Sequence, residues 1–155
     1  MSVILLRHAP AGDRDAWDGD DRLRPLDDEG YDQAIALPDV LAGRGISRVV
    51  SSPYVRCIES VEPLAAALGL TVELDSRLAE GAGGPGALAL LAEIDGGLAC
   101  THGDIVQAVL GRVLEKGAAV VVELDGSVVR VVEELSVGPH GPRGRAGESR
   151  RPEPR

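Results

Sequence analysis

The stretch Val3-Ile4-Leu5-Leu6-Arg7-His8 decides how this chain is read. Four consecutive apolar residues, two of them β-branched, have the length and character of a short buried strand. The strand runs into an arginine and a histidine, and Ala9-Pro10-Ala11-Gly12 then halts it, because proline lacks the N–H a ladder needs and glycine favours turns. Ligands of open α/β sheets bind at the carboxyl ends of the strands. This order therefore delivers a cation and an imidazole to a ligand-binding edge. An Arg-His pair at a strand end is also an ordinary surface feature, so the remaining elements must decide.

The 155 residues suit one domain with a substantial core. Hydrophobic residues make up 44% of the chain, yet aromatics are only 2% and phenylalanine is absent. The core must be built from Val, Leu, Ile and Ala. A net charge of −9 argues against general nucleic-acid binding, which needs a basic face. It leaves room for a small anion, since converging arginines dominate at short range. Lysine occurs once, at Lys116, so almost every positive charge is an arginine. The two cysteines, Cys57 and Cys100, form no disulfide framework in a chain this long and read as small core residues. No secretory leader pattern and no membrane-length apolar run is seen, and the expected location is cytoplasmic.

Beyond the first strand lies a charged loop, Asp13 to Pro25, holding the only tryptophan, Trp17. Asp27 or Asp28 caps a predicted helix whose apolar face carries Tyr31, Ala34, Ile35, Leu37, Val40 and Leu41. Pro38 lies inside it and should kink it. Ser47 to Val50 reads as a second strand. Ser52 as N-cap and Pro53 at the first helical position then predict a helix running to Leu68 and stopping at Gly69, with Pro63 as a second kink. Leu70 to Leu74 is a third strand, Ala87 to Ile94 a short helix, and Gly97 to Thr101 a fourth strand. That strand also empties into a histidine, in Thr101-His102-Gly103-Asp104, and a helix through Leu114 follows. Two Val-rich runs, Ala118 to Leu124 and Ser127 to Leu135, flank Asp125-Gly126, a strong hairpin signal. From Ser136 the chain is Gly, Pro, Arg and Glu, the composition of a disordered tail, and His140 within it is expected to be idle.

Two strands ending in histidine at one sheet edge change the weight of the opening stretch. Arg56 joins them from the first turn of the helix after Ser52-Pro53. Arg7, His8, Arg56, His102 and two helix N-termini then face one crevice, and a phosphoryl dianion is its natural occupant. A divalent metal is disfavoured because arginines flank the histidines and no His-x-x-x-His spacing occurs. A serine hydrolase is weaker still without a Gly-x-Ser-x-Gly elbow, and the glycine-rich loops of nucleotide-binding folds are absent.

Leu6-Arg7-His8-Ala9, Ser51-Ser52-Pro53-Tyr54-Val55-Arg56-Cys57 and Thr101-His102-Gly103-Asp104 together resemble the histidine phosphatase superfamily, the phosphoglycerate-mutase-like group. The likeness runs from Val3 to about Leu114. Short length is similar to the SixA-like phosphohistidine phosphatases, and Asp21-Arg22-Leu23-Arg24-Pro25-Leu26 with Gly30 and Gln33-Ala34 resembles the phosphatase domain at the C-terminus of some Nudix hydrolases. The expected fold is α/β: a three-layer α/β/α sandwich whose mostly parallel sheet ends in an antiparallel hairpin at or near one edge. Residues 1–135 would form the domain and 136–155 the tail.

The resemblance implies that His8 is a nucleophile carrying a phosphohistidine, that Arg7, Arg56 and His102 hold the phosphoryl oxygens, and that no cofactor or metal takes part. Glu80, in Leu78-Ala79-Glu80-Gly81, matches the family's proton donor, with Asp20 or Asp21 as alternatives. Gly103, Arg14 and Arg22 are expected to touch substrate. The substrate would be a small phosphoester, a nucleotide or a phosphohistidine on a partner protein, with no role for nucleic acid or membrane. A non-catalytic phosphate-binding module and a mutase are the competing readings. Ala9 stands where many members carry glycine, and Glu59-Ser60 where Gln-Thr is more usual. The first loop has Arg14 near the place where a mutase would have asparagine, which argues against that activity.

Overall fold

The computed structural model describes residues 1–135, and the expectations for 136–155 lie outside them. Six strands form one sheet in the order β3-β2-β4-β1-β5-β6. They are β1 (Ser2–Arg7), β2 (Val49–Ser51), β3 (Val72–Leu74), β4 (Leu98–Thr101), β5 (Ala119–Asp125) and β6 (Val128–Leu135). The pairs β2/β3, β2/β4 and β1/β4 are parallel, whereas β5 is antiparallel to both β1 and β6. The hairpin through Asp125-Gly126 closes the sheet at one edge, as expected.

Successive residues of β1 point to opposite faces, and both faces are covered. Ile4 and Leu6 pack with Leu37 and Leu41 of α1 (Asp28–Val40) and with Cys57, Val61 and Leu64 of α2 (Val55–Leu68). Val3 and Leu5 pack with Leu90 and Leu91 of α3 (Gly84–Glu93) and with Ile105 and Val106 of α4 (Gly103–Leu110). This is the three-layer sandwich. A strand buried on both faces has no alternation to show, which is why β1 reads as an unbroken apolar run. Each fully buried Leu or Val contributes about 1.5–3 kcal/mol, so this seam holds β1, and whatever follows it, in one place.

Several elements differ from expectation. Ser52 does not cap α2; Tyr54 holds the cap position with no side-chain bond, and the Ser52 hydroxyl accepts from Tyr54 N–H and lies 2.8 Å from His102 Nε2. Asp27 is the cap of α1, accepting from Gly30 N–H at 2.8 Å. Both α1 and α2 run unbroken through Pro38 and Pro63. Tyr31 and Ile35 face solvent, and buried Gly30 and Gln33 take the inward positions instead. A Cβ at Gly30 would overlap the Pro10 carbonyl oxygen, so glycine lets α1 close on the loop after β1. β3 is shorter than expected and α3 begins three residues earlier than read. α4 ends at Gly111, in the left-handed conformation that terminates helices, leaving Val113 exposed. Among the described residues, no helix is long and apolar enough to cross a membrane.

Candidate active site

Parallel pairing of β1 with β4 aligns Arg7 with Thr101, so His8 and His102 leave the sheet side by side. Their ring centroids lie 5.5 Å apart, nearly perpendicular. His8 N–H donates to the Thr101 carbonyl at 3.0 Å, and Gly117 N–H donates back to the His8 carbonyl at 2.9 Å, which fixes the strand end. The His8 ring is buried, and its Nδ1 lies 2.7 Å from the Ala9 carbonyl oxygen. A carbonyl only accepts, so Nδ1 carries the proton and Nε2 keeps a bare lone pair.

Burial pushes the His8 imidazole down to about 3, and the charges of His102, Arg56 and Arg7 push the same way; the bond to Ala9 opposes them. Desolvation is thus the leading cause, ahead of the neighbouring cations that the sequence brings to mind first. His8 is neutral throughout the physiological range.

Arg56 is fully buried in the first turn of α2. Its guanidinium donates to the Asp21 carbonyl at 2.8 Å, to the Asp21 carboxylate at 3.1 Å and to Glu80 Oε1 at 2.8 Å. It also lies 4.9 Å from the Tyr54 ring centre. With two carboxylates on one buried guanidinium, loss of either leaves Arg56 paired to the other, and only loss of both would strand a buried charge. Ser60 ties this turn to the strand end, donating to the Arg56 carbonyl at 2.6 Å and accepting from Ala9 N–H at 2.9 Å. Its neighbour Glu59 accepts from Leu26 N–H and from the Tyr31 hydroxyl, anchoring the start of α1. The Glu59-Ser60 pair therefore has a positional role on both sides of the site.

His102 Nε2 lies 2.8 Å from Ser52 Oγ and 3.6 Å from Cys57 Sγ. Ser52 Oγ already accepts from Tyr54 N–H at 3.2 Å, so its hydroxyl proton is available to Nε2. His102 Nδ1 is a buried atom with no hydrogen-bond partner that sits 3.6 Å from Glu80 Oε1. Both histidines line one cleft, His8 with a lone pair on Nε2 and His102 with an unpartnered Nδ1.

Arg7 donates from Nη1 to the Leu114 carbonyl at 2.6 Å and packs against Gly103, where any Cβ would meet the guanidinium. Burial pulls its guanidinium below the ordinary arginine value, with Asp104 opposing. Arg7, His8, Arg14, Arg24, Glu80, His102, Gly103 and Lys116 line one cleft of about 590 Å³, with Gly12, Gly81, Asp104, Gln107 and Val113 completing it. Glu80 is held over the cleft by Arg14 at 2.9 Å and by Arg56, while Gly81 N–H donates to Asp104 at 2.8 Å and pins the loop.

The first loop sorts its candidates. Arg22 is not brought to the cleft: it is exposed and closes on Asp20 of its own turn, at 2.6 Å. Asp20 goes with it, whereas Asp21 joins Arg56 and Arg24. Arg24 was not singled out as a site residue in the sequence. It is buried, donating to Asp21 at 2.8 Å and to the Ala11 carbonyl at 2.7 Å. The signal was present in Arg24-Pro25-Leu26, where the proline forces a turn just beyond the arginine.

The depressed His8 value fixes a pH dependence of folding. An unfolded chain protonates this imidazole near 6.5, and the folded chain only near 3. Between these values the unfolded state binds the extra proton, so stability is full above pH 6.5 and is lost as pH falls toward 3. At about 1.4 kcal/mol per pH unit, the loss approaches 5 kcal/mol. Urea unfolding of wild type and His8→Gln across pH 4–8 is expected to show a shallower acid decline in the variant. Parallel declines would contradict the assignment.

The chain is similar to known proteins. Residues 3–88 match the model of the histidine phosphatase superfamily (branch 1). An 8-oxo-(d)GTP phosphatase of Mycolicibacterium smegmatis is 39% identical over 79 residues, 51% of this chain and 24% of that protein, so the chain spans about a quarter of its relative's length. The protein histidine phosphatase SixA, solved with tungstate, superposes with a TM-score of 0.73 at 24% identity, over 90% of this chain and 97% of that one. A SixA described as a putative phosphohistidine phosphatase, from Agrobacterium tumefaciens, gives 0.70 at 21%, over 87% and 97%. With the family model covering more than half of its length, the chain belongs to the histidine phosphatase superfamily.

Proposed function

We propose that this chain is a metal-independent phosphatase that works through a phosphohistidine on His8. The observation that carries the reading is the His8 ring: neutral, fixed by Ala9, with the Nε2 lone pair left free among Arg7, Arg56 and the Nδ1 of His102. An imidazole attacks phosphorus only when unprotonated, and the non-bridging oxygens need donors that are in place before their charge develops. Arg7 and Arg56 each have a buried Nε without a hydrogen-bond partner, as does His102 at Nδ1. These are groups a phosphoryl oxygen would satisfy. Among the described residues, no three His, Cys, Asp or Glu side chains are grouped so as to hold a metal ion.

In this reading Nε2 bonds to phosphorus as the bond to the leaving oxygen breaks, and water then displaces phosphate from His8. Glu80 occupies Arg56 until substrate arrives, so a phosphoryl group exchanges with a carboxylate rather than entering a naked cationic pocket. Glu80 is then the proton donor to a poor leaving group. Arg14, paired with Glu80 at 2.9 Å, and Gly103, which packs against Arg7, complete the binding set. A phosphorylated small molecule, including a nucleotide, and a protein phosphohistidine are the candidate substrates. The SixA-like structures support the second, and the 8-oxo-(d)GTP phosphatase supports the first.

Turnover of a phosphomonoester panel and a phosphohistidine protein should persist in EDTA and leave an acid-labile phosphoenzyme. His8→Ala should lose the phosphoenzyme and about 10⁴-fold or more in kcat, the scale for deleting a nucleophile. Wild-type turnover by that variant would refute the mechanism, and binding of phosphate without any turnover would favour a non-catalytic module. Glu80→Gln is expected to slow alkyl phosphates by about 10²–10⁴-fold and p-nitrophenyl phosphate far less. Equal slowing of both would remove Glu80 from the donor role.

A further inference from the structure

The cleft holds a cation that phosphoryl binding does not use. Four arginine or lysine side chains line the cleft: Arg7, Arg14, Arg24 and Lys116. Arg14 is paired with Glu80 and Arg24 with Asp21. Among the described residues, Arg7 and Lys116 have no carboxylate at salt-bridge distance. Arg7 belongs to the phosphoryl group, which leaves the single lysine of the chain.

Lys116 is not on a loose excursion. It is the second residue of a turn closed by Ala118 N–H donating to the Glu115 carbonyl at 3.0 Å. Gly117, third in the turn, has φ +83°, the positive value that a type II turn requires there. Both ends of this segment are fastened to the nucleophile's strand. Arg7 Nη1 holds the Leu114 carbonyl at 2.6 Å, and Gly117 N–H reaches the carbonyls of Arg7 at 3.1 Å and His8 at 2.9 Å. Lys116 thus sits between two fastenings to Arg7 and His8, on the rim of a cleft of about 590 Å³ that is far larger than a phosphoryl group.

A leaving oxygen can be assisted by a proton or by a cation. Glu80 is the proton source, and the Lys116 ammonium, which lines the same cleft with no carboxylate at salt-bridge distance among the described residues, is the cation. We infer that Lys116 forms a second anion subsite, and that the preferred substrate is a phosphoanhydride: a terminal phosphoryl group joined to a second phosphate, as in a nucleoside diphosphate or triphosphate. This rests on the reading of His8 as nucleophile. The His8 Nε2–phosphorus bond forms as the bond from phosphorus to the bridging oxygen breaks. The electron pair leaves on that oxygen, and the departing phosphate ester is held by Lys116 without needing a proton. Water then attacks the phosphohistidine, the nitrogen–phosphorus bond breaks, and inorganic phosphate and one proton are released as His8 returns to its neutral form.

ADP and AMP share a nucleoside and differ in the second phosphate, so they are the matched probes, with p-nitrophenyl phosphate as the reference for His8 chemistry. Wild type should prefer ADP to AMP in kcat/KM. Lys116→Gln should lower kcat/KM for ADP about tenfold to a hundredfold more than for p-nitrophenyl phosphate, the range for a lost charge-assisted bond. Lys116→Arg should retain most of the ADP preference. Equal effects on the two substrates, or turnover of a histidine-phosphorylated protein with none of ADP, would overturn the inference while leaving the phosphoenzyme intact. Absence of a phosphoenzyme from p-nitrophenyl phosphate would instead count against His8 as nucleophile.

Discussion

One hydrogen bond, from His8 Nδ1 to the carbonyl of the next residue, sets what the site can do. At 2.7 Å it selects the tautomer whose Nε2 is bare, and it does so with the backbone, which cannot rotate away. The bond works because β1 is buried on both faces and its end is fastened on two sides, to Thr101 and to Gly117. An exposed strand end would let the ring turn and would let water support the protonated form. Burial thus supplies both the aim and the neutral charge state. The apolar run before Arg7-His8 is part of the chemistry in this sense.

The cations around His8 raise the opposite problem, since a cluster of buried positive charge is costly when unpaired. The fold meets that cost with carboxylates on neighbouring elements. Asp21, on the first loop, and Glu80, on the loop after β3, both pair with Arg56. The two are about one-third exposed, so each can give way to an incoming anion without repacking the core. Catalysis needs donors already oriented toward the charge that develops. Here Asp21 and Glu80 hold the Arg56 guanidinium in one orientation.

The fold was legible because its signals are local. The apolar run of β1, the Asp125-Gly126 turn and the periodicity of α2 each depend on adjacent residues. The histidine at the end of β4 repeated that of β1 and pointed to a shared edge. What escaped reading depended on partners far along the chain. Ser52-Pro53 has the form of a helix start, yet the hydroxyl is claimed by His102, fifty positions away. Arg22 and Arg24 look equivalent in a charged loop; the turn at Asp21–Leu23 sends one to solvent and buries the other against Asp21. Ile35 fits the apolar spacing of α1 but faces water, because Gly30 and Gln33 make the close contacts instead. The charges near His8 were visible in sequence, while the larger effect on its protonation, burial, needed the packed structure.

The central claim is that His8 is a neutral imidazole with its proton on Nδ1 and its Nε2 free. Nitrogen-15 NMR of histidine-labelled protein, followed from pH 4.5 to 8, reads both properties directly. The account predicts a His8 ring that does not titrate over this range and whose Nδ1 bears the proton. A His8 signal that titrates near pH 6.5, or one with the proton on Nε2, would contradict it.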